Sequence, residues 1–172
     1  LEIWSNHVKS FGLGKYLGND LPTGKKGLVP DVAFYDRFLG YTGWKGATSV
    51  SNGIGQGELL ATPIQMANMA AAIANRGYYY TPHIIKSVDG SKIDSVFLNP
   101  KYTTIDSIHF ETVIEGMYDV FENGTAEAVR LDHISQCGKT GTAQNPHGQD
   151  HSIFVSFAPK DNPMIAIAVI IE

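Results

Sequence analysis

Cys137-Gly-Lys-Thr-Gly-Thr-Ala-Gln144, His151-Ser-Ile-Phe-Val-Ser-Phe-Ala-Pro159 and Met164-Ile-Ala-Ile-Ala-Val-Ile-Ile171 decide the fold. Each segment is rich in β-branched, aromatic or alternating residues, and each has strand length. They are separated only by the short turns Asn145–Asp150 and Lys160–Pro163. Links that short join antiparallel neighbours, so the three segments predict a meander. The last segment is apolar on both faces, and a strand buried on both faces needs helices on both sides. The expectation is a layered α+β fold, an antiparallel sheet covered by helices.

The residues upstream supply those helices. Thr62 is a helix N-cap, Pro63 sits at the first helical position and Gln65 at the third completes a capping box. Alanine-rich sequence then runs to Asn75, and Gly77 closes the helix. A second amphipathic helix starts near Asp106, with Phe110, Val113, Ile114, Met117, Val120 and Phe121 on one face, and Asn123-Gly124 ends it. Thr125 is placed to cap a short helix through Arg130. A first helix spans about Glu2–Phe11, stopped by Gly12 and Gly14. Tyr78–Val88 reads as extended, Asp89-Gly90 as a hairpin turn and Lys92–Leu98 as its partner strand. Leu17–Val32 is a loop. Residues 33–57 carry no clear period; the aromatics from Phe34 to Trp44 read as core rather than as a substrate platform.

Composition bounds the function. The chain has 172 residues, 43% apolar and 17% charged, which fits one globular unit and excludes wholesale disorder. The formal charge of −4 leaves no basic nucleic-acid footprint. A single cysteine, Cys137, excludes an intrachain disulfide. The apolar run Met164–Ile171 is far shorter than the roughly 20 residues of a membrane span. Leu1, Ile3, Trp4, Val8 and Phe11 form an apolar stripe without a preceding cap, and Glu172 follows an apolar strand. Residues 1–172 are therefore expected to be a fragment, truncated at both ends, of a larger domain.

The chemistry concentrates at Gly138-Lys139-Thr140-Gly141-Thr142-Ala143-Gln144. A phosphate loop requires G-x-x-x-x-G-K-[ST], but the place of its first glycine is held by His133. The alternative is a Lys-Thr-Gly motif on a strand of an acyl-transfer enzyme. There Lys139 and Gly141 share one face, and Thr140 and Thr142 the other. The lysine supplies positive charge beside a serine nucleophile and a substrate carboxylate. The threonine hydroxyls bind a carboxylate, Gly141 keeps space open along the strand, and the Thr142 N–H serves as an oxyanion-hole donor. Gly53–Gly57 fails the dinucleotide pattern because Glu58 holds its last glycine position, and these glycines are expected to shape a loop beside the active site. Cys137, His147, Asp150 and His151 invite a metal reading, but His-x-x-x-His is a helical spacing and here spans a Pro-Gly turn into a strand. Cys137 reads instead as a small core residue. His151 either borders the cleft or is structural.

With these residues in view, the chain resembles the transpeptidase domain of class B penicillin-binding proteins, most closely the elongation type. Phe11-Gly-Leu-Gly14, Asp20-Leu-Pro22, Gly55-Gln-Gly57, Thr62-Pro-Ile-Gln-Met-Ala67, Gly116-Met117, Gly124-Thr-Ala126, Gly138–Gln144 and His151–Pro159 carry the likeness in order. The resemblance implies part of a penicillin-binding/β-lactamase-like transpeptidase fold and a peptidoglycan D,D-transpeptidase activity. A serine attacks a D-Ala-D-Ala stem peptide, and an amine from a second stem peptide resolves the acyl-enzyme. It implies Lys139 and Thr142 as catalytic residues, and Thr140, Gly141 and Thr142 as substrate-binding. It further implies β-lactams as ligands, no metal or organic cofactor, and a glycan-polymerising partner. The parent protein would be membrane-anchored, with this domain on the periplasmic or extracytoplasmic side of the bacterial envelope.

One departure qualifies that picture. The family uses a Ser-x-x-Lys nucleophile motif and a Ser-x-Asn motif, and the chain contains neither. Only threonines, Thr23 before Lys26 and Thr42 before Lys45, stand at the first spacing. The chain is expected to begin after both motifs and to be inactive alone. Two other readings stay open: a non-catalytic penicillin-binding-like sensor or scaffold module, and a serine β-lactamase or D,D-carboxypeptidase.

Overall fold

The structure, a computed structural model, describes residues 1–41, 43–90, 92–145 and 147–172. Thr42 of the Thr-x-x-Lys spacing and Pro146 of the expected Pro-Gly turn thus lie outside the described residues. In chain order the elements are helices α1 (Glu2–Ser10), α2 (Val32–Leu39), α3 (Gly46–Gly53) and α4 (Pro63–Ala74), strand β1 (Tyr78–Tyr79) and the single turn α5 (Ser95–Leu98). Strand β2 (Lys101–Tyr102), helix α6 (Phe110–Glu122) and strands β3 (Cys137–Ala143), β4 (His151–Ala158) and β5 (Ile165–Ile171) follow. Among the described residues no helix is long and apolar enough to cross a membrane.

The last three strands form the antiparallel meander that their spacing predicts, in the order β3-β4-β5. Lys139 pairs with Val155 and Thr140 with Phe154; Ser156 pairs with Ile167. Helix α4 lies on β4 and β5, and α6 packs against β3. Ala70, Ala72 and Ala74 are buried, so methyl groups set the spacing between α4 and its neighbours. Phe110, Ile114 and Met117 of α6 close a core with Ala74, Cys137 and Phe157. Val113, expected on that face, is 48% exposed. The buried stripe instead runs through Phe110, Ile114, Met117 and Phe121, at spacings of three and four, which leaves Val113 on its flank.

Three expectations are corrected. Lys92–Leu98 is not a strand: Asp94 accepts the Val96 N–H at 2.9 Å and caps the α5 turn. The partner of β1 is β2, with Tyr78 opposite Tyr102, and the buried Tyr79 side chain holds β1 against Leu17 and Ala72. Residues 33–57 form two eight-residue helices, α2 and α3. Only Tyr35 of the α2 aromatics is fully buried; Phe38 and Tyr41 face solvent. Finally, β5 is not covered on both faces among the described residues. Ala166, Ala168 and Ile170 are half-buried on the α4 side, whereas Ile165, Ile167, Val169 and Ile171 alternate with them and are exposed.

The capping box at the head of α4 is formed as the sequence predicts, and it reaches beyond the helix. The Gln65 carbonyl oxygen accepts the Thr62 N–H at 2.9 Å. Its amide nitrogen donates to the backbone carbonyls of Lys15 at 2.8 Å and Lys26 at 2.9 Å. The side chain is 1% exposed, so these groups have no water to replace it. About one turn further along the same helix, the Asn68 amide donates to the Phe11 carbonyl at 2.9 Å. Replacing Gln65 by leucine would leave several buried backbone groups unpaired. Gln65→Leu is expected to lower stability by about 3 kcal/mol, measured as the shift in a urea unfolding midpoint at constant slope.

Candidate active site

Strand β3 begins in the core and ends in solvent. Cys137 and Gly138 are buried, while Lys139, Gly141 and Thr142 are exposed. At the buried root, Cys137 lies beneath α6, with its Sγ 3.8 Å from the Ile114 carbonyl oxygen. Burial pushes its thiol up to about 11. It is the small core residue that the sequence suggests, and among the described residues no cluster of three or more metal-ligating side chains exists. Gly138 is fixed by space. A Cβ there would sit 2.9 Å from Phe154 Cζ and 3.0 Å from Phe121 Cε2, two rings that meet edge to face at 5.8 Å.

Beyond Gly138 the strand has β4 on one side only, so its other edge carries no strand among the described residues. Two side chains approach that edge. The Gln56 amide donates to the Thr142 carbonyl at 3.0 Å. The Lys139 ammonium donates to the Thr140 carbonyl. In an antiparallel strand the N–H and C=O of one residue point the same way. Thr140 and Thr142 therefore direct both backbone groups away from β4, and the Thr142 N–H faces outward beside its carbonyl. Lys139, Thr140, Gly141 and Thr142, singled out by sequence, are thus assembled on one accessible edge.

The loop carrying Gln56 is built for this position. Gly55 and Gly57 have φ of 81° and 71°, a left-handed backbone that favours glycine. On one side of the loop the buried Asn52 amide donates to the Tyr35 hydroxyl at 2.7 Å. On the other, the same hydroxyl donates to the Glu58 carboxylate. Burial, with Glu58 beside it, holds the Tyr35 hydroxyl above its ordinary pKa, so it remains a donor at neutral pH. A cleft of about 450 Å³ continues from Gln56 and Gly57 past Gln144, Asn145 and Asp150.

Thr125 departs from its expected role. It caps no helix; the 3₁₀ turn Glu127–Val129 follows Ala126 without a side-chain cap. Its Oγ1 instead lies 3.0 Å from Thr140 Oγ1. His151 opens β4 opposite Ala143, with Nδ1 3.7 Å from a Glu172 carboxylate oxygen. The sequence marks Gln56 and Thr125 as members of a glycine loop and a helix start, and of two stretches that carry the family likeness, but gives neither a contact with β3. Their contacts with β3 join positions 86 and 15 residues apart, which no local pattern reports.

A Lys-Thr-Gly strand on an accessible edge of a helix-backed antiparallel sheet is the pattern to compare with known proteins. The chain belongs to the family described as the penicillin binding protein transpeptidase domain, which it matches over residues 1–172. It is 36% identical to the peptidoglycan D,D-transpeptidase MrdA of Acinetobacter baumannii, over 96% of this chain and 27% of that protein. Against the protein of the same name from Escherichia coli K12 it is 31% identical, over 98% of this chain and 30% of that one. The chain thus spans under a third of the length of these relatives. Among solved structures, PBP2 of Pseudomonas aeruginosa, crystallised with WCK 5153, superposes with a TM-score of 0.82 at 33% identity, covering 96% of this chain and 36% of that one. PBP2 of Helicobacter pylori gives 0.83 at 28% identity, covering 100% and 32%. The α+β assignment and the family resemblance both stand.

Two outcomes are expected from this geometry. Gly138→Ala forces Phe121 and Phe154 apart and lowers stability by about 1–3 kcal/mol, read from a thermal or denaturant melt. Cys137, kept protonated by burial, stays unmodified by iodoacetamide at pH 8 in the folded protein and is labelled promptly once urea unfolds it. Its raised pKa adds stability that is complete below about pH 9 and is lost as pH rises towards about 11.

Proposed function

We propose that residues 1–172 form the C-terminal portion of the catalytic domain of a peptidoglycan D,D-transpeptidase. The observation that carries this reading is the outward-facing edge of β3, where Lys139, Thr140 and Thr142 flank backbone groups that have no strand partner among the described residues. A D-Ala-D-Ala stem peptide lies along that edge as an added strand. The Thr140 and Thr142 hydroxyls bind its terminal carboxylate. The Lys139 ammonium, now resting on the Thr140 carbonyl, turns to the nucleophile and the same carboxylate. The Thr142 N–H stabilises the oxyanion formed as a serine attacks the penultimate carbonyl. The C–N bond to the terminal D-alanine breaks, the leaving amine takes a proton, and the amine of a second stem peptide then displaces the serine.

The serine comes from sequence outside residues 1–172, because no Ser-x-x-Lys or Ser-x-Asn occurs within them. β-Lactams react at the same serine: the ring amide opens and the whole molecule stays attached. No metal or organic cofactor takes part. The parent protein works in the bacterial cell envelope, anchored in the membrane and facing the periplasm or the outside, beside a glycan-polymerising partner. The relatives named as peptidoglycan D,D-transpeptidases support this assignment.

Intact-mass spectrometry after benzylpenicillin treatment tests it. The full-length protein is expected to gain one adduct of the antibiotic's full mass, and residues 1–172 alone none. An adduct on residues 1–172 would place the nucleophile within them. No adduct on either would replace the enzyme by a non-catalytic module.

A further inference from the structure

We propose that Gln56 is a built-in stand-in for substrate, holding the Thr142 carbonyl until an incoming amide N–H displaces it. This inference deepens the transpeptidase reading above and rests on it. A ligand strand laid along β3 must donate an N–H to an outward carbonyl and receive one of the outward N–H groups. At Thr142 the carbonyl is already taken: Gln56 Nε2 donates to it at 3.0 Å, as a primary amide of the same chemistry as a peptide N–H.

The surroundings separate a fixed backbone from a displaceable side chain. The Gln56 N–H donates to the Ser51 carbonyl at 3.0 Å and the Gly55 N–H to the Asn52 carbonyl at 3.0 Å, which ties the loop to the end of α3. Asn52 and Glu58 both bind the Tyr35 hydroxyl, so the loop is pinned before and after Gln56. The Gln56 side chain has no such fixing. Among the described residues its one side-chain hydrogen bond is that to Thr142, at an exposed position, and it lines the cleft of about 450 Å³ that would receive it on release. Substrate binding is then an exchange of one amide for another. Ligands that offer an N–H at this point recover the lost bond, and ligands that offer none must either leave Gln56 in place or bind beside it. The residue thus cancels, by one hydrogen bond, the gain that an amide N–H would otherwise bring at this point, and it leaves untouched the ligands that bind beside it.

The test uses the full-length protein and two β-lactams. Benzylpenicillin carries a side-chain amide N–H; a carbapenem with a hydroxyethyl substituent carries none. Acylation rates are measured by intact mass at subsaturating and saturating ligand, for wild type, Gln56→Ala and Gln56→Met. Methionine keeps the length of the side chain but cannot donate. Both variants are expected to acylate about fivefold faster with subsaturating benzylpenicillin, the worth of one net hydrogen bond. Their rate at saturation should be unchanged, as should their rate with the carbapenem. Slower acylation by both ligands, or an equal change with both, would make Gln56 a loop brace and overturn the inference. A gain in Gln56→Ala without one in Gln56→Met would assign the effect to bulk and overturn it too. If wild type acylates with neither ligand, the transpeptidase reading itself fails, which the other outcomes leave intact.

Discussion

The side-chain amide of Gln65 is the tie on which the rest of the chain is hung. It closes the head of α4 and, through the carbonyls of Lys15 and Lys26, fixes the long loop that leads to α2. Asn68, on the same helix, takes the Phe11 carbonyl at the end of α1. With these contacts made, α4 has one orientation, and its alanine face meets β4 and β5 closely. The sheet in turn carries β3 outward to its accessible edge. A short polar side chain in a dry place therefore decides where a motif more than seventy residues later comes to rest, because an unpaired buried carbonyl costs more than any local rearrangement regains.

Much of this was legible in the sequence, for physical reasons that differ between elements. Thr62-Pro-Ile-Gln65 announces a helix start through local hydrogen-bond chemistry that needs nothing from the rest of the chain. The meander was legible because short turns between strand-like segments leave little choice of topology. The hairpin of 78–98 was not. Its turn at Asp89-Gly90 has positive φ at both residues, yet Asp94 and the buried Tyr79 redirect the partner strand to Lys101–Tyr102. Local propensity predicted the turn but not what competed with it. Similarly, Val169 and its neighbours look like a doubly buried strand because hydropathy alone does not say which face is covered.

The candidate site divides the same way. Lys139 to Thr142 follow from strand alternation and from the family resemblance, and β3 brings them to one edge. The surrounding residues follow from tertiary structure alone. Thr125 reaches Thr140 because α6 ends against β3, and Gln56 reaches Thr142 because Tyr35 holds both flanks of its loop. Both are polar and both touch the motif directly; the sequence marks them only within Gly55-Gln-Gly57 and Gly124-Thr-Ala126, stretches of the family likeness, and does not show that they meet β3.

Strand β3 is clamped at its root and, beyond it, held by β4 along one side. Its root is wedged between Phe121 and Phe154 at a position that tolerates no side chain, while its tip runs past Thr142 into solvent. Mechanically that is a beam fixed at its root and supported along one side. A load applied at the open edge passes into β4 through the ladder and, at the root, into the two rings that close on Gly138. The stiffness of the working edge is then shared between the β4 ladder and an aromatic clamp that itself meets no ligand.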